Sequence, residues 1–302
     1  MELGYDKPLY ILAFDHRGSF QKKFFGVTGE PSEEETARIS DAKTVIFEGL
    51  LRSLDEGVAR VSAGALVDEQ FGADIARKAK ADGLSLAMPV EKSGQDEFDF
   101  QYGEDFGAHI EEFDPTFSKV LVRYNPEGDA DTNRRQTERL RRLGDWLHGH
   151  DRTFLFELLV PPEPHQLEAM GGDEDAWDKQ ARPPLMKRTI AELQGAGVEP
   201  DIWKIEGIDK REDCEMIAAQ CRMGSHRASV ACVVLGRGAN DAAVDHWLRM
   251  GRGVPGYIGF AIGRSIWWDP LKAYVDGNTG RDEAAKQIAA NYRRFVEVYE
   301  NG

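Results

Sequence analysis

The chain has 302 residues, 41% hydrophobic and 30% charged, with a formal net charge of −15. That length fits one large α/β domain or two ordinary ones and suffices for a substantial core. The acidic balance disfavours nucleic acid and anionic membranes as partners, while leaving room for a local basic pocket. No stretch approaches the roughly 18 apolar residues that span a bilayer. The opening Met-Glu-Leu-Gly-Tyr-Asp lacks the basic-then-apolar pattern of an export signal. Cys214, Cys221 and Cys232 are odd in number and form no C-x-x-C, which argues against a disulfide frame or a zinc site. A reducing cytoplasm is the simplest home.

Apolar runs of strand length alternate with helical patterns. The first run, 9–14, ends at Asp15, His16 and Arg17. Helical periodicity holds over 33–56, with Ser32 as cap and Glu35 three residues on. A second run, 59–67, precedes Asp68 and Glu69, and a short helix fits 73–81. The third, 85–90, ends in Glu91 and Lys92; 93–103 reads as a polar loop and 104–112 as a short helix. The fourth, 119–124, contains Lys119 and Arg123 and stops at Asn125-Pro126, before a charged helix over 131–148. The fifth, 153–160, carries Glu157 and breaks at Pro161-Pro162. A polar insertion fills 163–181, and a helix fits 184–195. The sixth run, 201–208, holds Lys204 and Glu206 and leads to a helix at about 210–221. The seventh, 228–235, ends at Gly236 and precedes a helix over 240–250. The eighth, 257–262, ends at Gly263-Arg264, and the last long helix covers 281–299.

Eight strands alternating with eight helices give the count of a closed (β/α)₈ barrel, read here as a single domain over 1–302 because no Gly/Ser/Pro-rich linker cuts the chain. The alternative is a doubly wound open sheet. Its dinucleotide-binding version has no support, since no G-x-G-x-x-G follows the first strand.

In a barrel, catalytic groups sit at the C-terminal ends of strands. Lys204 interrupts an apolar run, and burying an ammonium is costly unless it is paired or loses its proton. It shares a strand face with Glu206, so one reading is a lysine reaching solvent at a strand end and paired with that carboxylate. The other is an amine that attacks a ketone and forms a Schiff base. Lys119, Glu157 and Lys204 lie on consecutive strands and can meet in the barrel centre. A second cation near Lys204, with partial burial, would favour its uncharged form. Lys119 also reads as an ordinary residue at a strand start. Glu157, inside Phe-Leu-Phe-Glu-Leu-Leu-Val, needs a functional or ion-pair role. Gly259–Arg264 and Gly236-Arg237-Gly238 are two halves of a phosphate cradle or two simple turns.

Other features carry less. His148-Gly149-His150 falls in a helix-to-strand turn, and the histidines lack zinc-enzyme spacing, so no metal is expected. Trp267-Trp268 fits packing beneath the last helix, and the charges from Arg134 to Arg142 fit a solvated helix face.

Six segments recur in a known order. They are Phe14-Asp-His-Arg-Gly18, Val90-Glu-Lys-Ser-Gly94, Lys119-Val-Leu-Val-Arg-Tyr124, Phe156-Glu-Leu-Leu159, Trp203-Lys-Ile-Glu206 and Ile262-Gly-Arg264. Over about residues 8–298 the chain resembles the aldolase-like DUF2090 group, often fused behind a sugar kinase in bacterial myo-inositol catabolism. The kinase portion is absent from this sequence. That group is similar to class I tagatose-1,6-bisphosphate aldolases. The resemblance implies a (β/α)₈ barrel and a Schiff-base aldolase needing neither cofactor nor metal. It places the Schiff-base lysine at Lys204, its companions at Glu157 and Lys119, and the phosphate-binding Gly-Arg at Gly263 and Arg264. Asp15, Arg17 and Gly18 would lie near the reacting hydroxyls. Tagatose aldolases carry a small hydroxyl residue where this chain has Gly236-Arg237, which points away from a bisphosphate and suits a substrate with a carboxylate.

The substrate implied is a phosphorylated keto sugar acid, best 5-dehydro-2-deoxygluconate 6-phosphate, cleaved to malonate semialdehyde and dihydroxyacetone phosphate, with Glu157 or Asp15 as base. A tagatose-type bisphosphate or a sulfonated sugar phosphate would use the same lysine, and a non-catalytic sugar-phosphate-binding barrel is a reading of another class. A homo-oligomer is compatible with the sequence, which does not select one.

Overall fold

A computed structural model describes residues 3–302. Met1 and Glu2, which open the predicted 1–302 domain and the N-terminal pattern, lie outside the described residues. Eight parallel strands close in chain order into one barrel, the (β/α)₈ class read from the sequence. The first quarter runs β1 (Leu9–Ala13), α1 (Gly18–Phe25), α2 (Glu33–Asp55), β2 (Ala63–Leu66) and α3 (Glu69–Ala81). Next come β3 (Ser85–Pro89), α4 (Phe106–Phe113), β4 (Phe117–Arg123), α5 (Ala130–Gly149) and β5 (Thr153–Leu159). Then follow α6 (Pro164–Ala169), α7 (Glu174–Gln180), α8 (Arg182–Gly195), β6 (Ile202–Glu206) and α9 (Arg211–Cys221). The chain closes with β7 (Ala231–Leu235), α10 (Asp241–Gly251), β8 (Tyr257–Ile262), α11 (Arg264–Val275) and α12 (Arg281–Asn301). No helix is long and apolar enough to cross a membrane among the described residues.

The two-residue period of each strand divides its side chains between two cores. Phe154, Phe156 and Trp203 face outward and pack under the helices, with the Phe156 and Trp203 ring centroids 4.9 Å apart. Leu9, Ile11, Phe117, Leu155, Ile202 and Val233 face inward and fill the lower barrel. Two residues further toward the C-terminal end, the inward positions turn ionic: Lys119 follows Phe117, Glu157 follows Leu155, and Lys204 follows Ile202. The β5–β6 register sets Glu157 directly beside Lys204.

Several boundaries differ from the sequence reading, each for a local reason. The run 59–67 opens with a 3₁₀ turn at Arg60–Ser62, and the run 228–235 follows one at Ser225–Arg227 and pairs only from Ala231, so β2 and β7 are shorter. Strand β4 starts at Phe117, which makes Lys119 the third residue of the strand. Helix α3 starts at Glu69 because the Asp68 side chain accepts from the Phe71 N–H and caps it. The insertion 163–181 folds into α6 and α7, anchored by buried Trp177. Ser32 and Glu35 form the expected capping box on α2.

Helices α1 and α11 were not anticipated. Pro270 obscures α11: proline has no N–H and cannot bond the carbonyl of Ile266. Asn291 on α12 supplies the missing donor, its Nδ2 lying 2.8 Å from that carbonyl oxygen. Trp267 on α11 is buried beside Phe20 and Phe24 of α1, and its Nε1 donates to the Ala13 carbonyl at 2.9 Å. It therefore packs α11 and α1 onto β1.

Candidate active site

A cavity of about 490 Å³ opens at the C-terminal mouth of the barrel. Asp15, Glu91, Lys119, Glu157 and Lys204 line it, and Lys23, Lys92, Arg123 and Arg264 bring further cations to its wall. The residues expected from the sequence at strand ends thus converge on one space, except Glu69, which turns to a separate small pocket beside His109.

Lys119 is the hub. It is 1% exposed and its Nζ meets Asp15 Oδ2 at 2.8 Å, Glu91 Oε1 at 2.8 Å and Glu157 Oε2 at 3.0 Å. It donates hydrogen bonds to Asp15 and Glu91 and pairs with Glu157 by charge, so three carboxylates surround one ammonium. Burial works to discharge Lys119, but the three carboxylates outweigh it and hold it firmly charged. The reading of Lys119 as an ordinary residue at a strand start is corrected: it sits in mid-strand, on the barrel axis.

The three carboxylates differ. Burial pushes all of them up. For Asp15, the charges of Lys119 and Lys204 reverse that and keep it well below the usual carboxylate range. For Glu157, Lys119 and Lys204 also outweigh burial and lower it. For Glu91 burial wins despite Lys119 and Arg17, with Asp15 adding to the rise.

Lys204 is 4% exposed and pairs with Glu157 Oε1 at 2.9 Å. The alternative in which it reaches solvent beside Glu206 is corrected. Glu206 does line the cavity, but its Oε2 accepts the Val160 N–H at 2.9 Å and lies 3.7 Å from Arg182. Glu157 carries one lysine on each oxygen, which explains a carboxylate inside an apolar strand.

The residues expected to cradle a phosphate are only partly free to do so. Gly263 caps α11, whose N-terminus opens at the mouth immediately after β8. Helix N-termini present unbonded N–H groups to anions. A Cβ at Gly263 would stand 2.3 Å from the Ala13 carbonyl oxygen, so only glycine fits between β8 and β1. Gly238 has φ +72° and leaves room for the Arg264 guanidinium, which a Cβ would meet at 2.5 Å. Arg264 Nη2 donates to the Arg237 carbonyl at 2.8 Å and ties the two loops together. Gly236, Gly263 and Arg264 therefore gather as predicted. The guanidinium of Arg237 does not stand free: it pairs with Asp178 of α7 and lies 3.5 Å from Glu206. Arg17 is also engaged, donating to the Glu91 carbonyl at 2.7 Å and to Gln101 Oε1 at 3.1 Å. Both line the cavity as braces of its loops more than as open anion receptors.

A family profile described as "Uncharacterized protein conserved in bacteria (DUF2090)" matches residues 4–302. The chain belongs to the DUF2090 family. Tagatose 1,6-diphosphate aldolase 2 of Streptococcus pyogenes serotype M1 is 25% identical over 168 residues, 54% of this chain and 48% of that protein. The counterpart in serotype M18 (strain MGAS8232) matches to the same extent. The chain spans about half the length of the curated relatives it matches. Among solved structures, Cgl0159 from Corynebacterium glutamicum superposes with a TM-score of 0.59 at 15% identity, over 97% of this chain and 88% of that one. A Schiff base-forming fructose-1,6-bisphosphate aldolase superposes with a TM-score of 0.54 at 14% identity, over 95% and 94%. At such identities the likeness shows the shared barrel.

Two groups in this DUF2090 site were undervalued from sequence. Glu91 was noted only as a polar residue after a strand, yet it completes the Lys119 triad. His16 stands between Asp15 and the α11 N-terminus, its Cε1 3.4 Å from where a Gly263 Cβ would be. Burial lowers its pKa to about 4 against the pull of Asp15, with Arg264 and Lys43 pushing the same way, so the imidazole is neutral at pH 7. His148 pairs with Asp201 at 3.2 Å at the closed end of the barrel. Glu69, His109 and Glu112 are the one trio near enough to share a metal among the described residues. They lie outside the large cavity, His109 bonded to Glu69 and Glu112 to Arg77.

Proposed function

We propose that this DUF2090 barrel is a Schiff-base aldolase acting on a phosphorylated keto sugar acid, with 5-dehydro-2-deoxygluconate 6-phosphate as the favoured substrate. The observation that carries the reading is Lys204: buried, on the floor of a cation-rimmed cavity, with one carboxylate partner and two N–H positions left over. The S. pyogenes relatives, named as aldolases, support it at the level of the reaction.

The amine of Lys204 attacks the ketone at C5, and Glu157, 2.9 Å away, shuttles the protons that turn the carbinolamine into an iminium. An ionised carboxylate, Glu157 or Asp15, takes the proton of the C3 hydroxyl. The C3–C4 bond breaks and its electron pair flows into the iminium. Malonate semialdehyde leaves, and hydrolysis of the remaining imine frees dihydroxyacetone phosphate. The phosphate would rest on the α11 N-terminus with Arg264 and Lys23. Because Arg237 is neutralised by Asp178 and Glu206, Lys92 and Arg123 are the better hosts for the carboxylate.

Borohydride reduction in the presence of substrate tests this. A mass increment on the peptide containing Lys204 is expected; turnover with Lys204 unmodified would refute the mechanism. A tagatose-type bisphosphate or sulfonated sugar phosphate is separated by rates across a substrate panel. Cations on both sides of the cavity keep that second reading in play. A barrel that only binds sugar phosphates would show no turnover in the wild type and would keep its ligand in Lys204→Ala.

A further inference from the structure

Schiff-base cleavage sets two proton tasks of opposite kind. One group must be ionised to take the hydroxyl proton. Another must hold a proton to give to the enamine carbon after the C–C bond has broken. The three carboxylates around Lys119 are alike in chemistry but not in surroundings. Glu157 has an ammonium on each oxygen, Lys204 at 2.9 Å and Lys119 at 3.0 Å. Asp15 lies 2.8 Å from Lys119. Glu91 spends one oxygen, Oε1, on Lys119 at 2.8 Å, with Arg17 3.7 Å from the same atom. Its Oε2 is buried without a partner among the described residues. A bare, buried carboxylate oxygen is costly while charged, and a proton relieves it.

We propose that Glu91 is the acid that protonates the enamine carbon, a role that rests on the aldolase reading above. Glu91 lines the same cavity as Lys204. The terminal torsion of a glutamate is soft, so rotation of the carboxyl brings Oε2 toward a bound ligand. The charged and titratable groups facing it are Lys119 on β4, Arg17 at the start of α1 and Asp15 after β1. Their balance leaves Glu91 the most readily protonated of the three, while Asp15 and Glu157 are held ionised.

The step balances. The base takes the C3 hydroxyl proton, the O–H pair becomes the aldehyde C=O, and the C3–C4 pair becomes the enamine C=C. Glu91 then gives its proton to C4. The C=C pair forms the new C–H bond, the nitrogen pair restores the iminium, and water releases the ketone from Lys204. The proton collected by the base returns to Glu91 through Lys119, which lies within 3.0 Å of all three carboxylates.

Dihydroxyacetone phosphate in D₂O isolates this step, because exchange of its hydroxymethyl hydrogens needs the imine on Lys204 and a proton carrier at carbon, but no C–C cleavage. In Glu91→Gln, borohydride trapping of dihydroxyacetone phosphate on Lys204 should persist while exchange followed by proton NMR slows by about 100-fold or more. The wild-type pH profile of exchange should contain an ionisation that Glu91→Gln lacks. Glu91→Ala is the second variant, and added acetate or formate should restore its exchange. Intact trapping with exchange at the wild-type rate in Glu91→Gln or in unsupplemented Glu91→Ala would overturn the role of Glu91 and leave the aldolase standing. Failure to trap dihydroxyacetone phosphate on wild-type Lys204 would overturn both.

Discussion

Of the three lysines buried in this barrel, Lys43 and Lys204 end differently. Lys43, on α2, is fully covered and donates to the carbonyls of Phe14 and His16, each at 2.9 Å, and to Asp68. Those acceptors use its three N–H groups, and the rings of Phe20 and Phe71 lie 5.3 and 5.6 Å away. Lys204 has one carboxylate and a cavity. Burial is thus the same and valence is not. A lysine whose donors are all spent holds a loop in place, here the turn after β1 that carries Asp15 and His16. A lysine with donors to spare beside an open space is available for chemistry.

Exchanging the two lysines' fates tests this contrast. The largest effect belongs to Lys204→Met, expected to lower cleavage by at least about 10⁴-fold, by analogy with losses of other covalent nucleophiles. Its urea midpoint should move little, within about 1 kcal/mol, because Glu157 keeps Lys119. A large loss of stability there would erase the distinction. Lys43→Met should do the reverse: about 3–5 kcal/mol of stability lost, because Asp68 is left charged in the core, with Lys204 still trapped by borohydride in the folded fraction. Lys119→Met should resemble Lys43→Met in stability, since it strands three carboxylates.

Smaller effects follow at the rim. Arg264→Ala should raise KM for a phosphorylated substrate about 10- to 100-fold, the range of one charge-assisted contact. Arg237→Ala should raise it by less than about 10-fold, its guanidinium being occupied by Asp178 and Glu206. Equal effects would show that Arg237 swings into the cavity. Acid titration should give the smallest signal. Asp15 and Glu157 have folded pKa values below their unfolded ones, so their stabilisation is complete above the ordinary carboxylate range and is lost as pH falls through the folded values. Lys119 has the opposite sign, stabilising through neutral pH and failing only above the ordinary lysine range. The urea midpoint should therefore fall below about pH 4, and less steeply in Lys119→Met.

The barrel was legible because parallel strands covered on both faces read as apolar runs, and eight such runs at regular spacing leave few alternatives. Lys119, Glu157 and Lys204 were legible as charges where charge does not belong. Glu91 was not, since a carboxylate just past a strand end looks the same whether it turns to solvent or to the axis. Lys43 lies in an amphipathic helix among many exposed charges, and its partner Asp68 is far away in sequence. The commitment of Arg237 depends on Asp178, inside an insertion that presents no strand or long helix to place it. Pairings across distant segments are what a single sequence conceals.

The proline in α11 makes one side chain on α12 indispensable while staying replaceable itself. Asn291 answers the carbonyl that Pro270 abandons, so the dependence runs one way. An ordinary residue at 270 would restore the helical N–H to Ile266, whereas a residue without a donor at 291 would orphan that carbonyl in the seam between the last two helices.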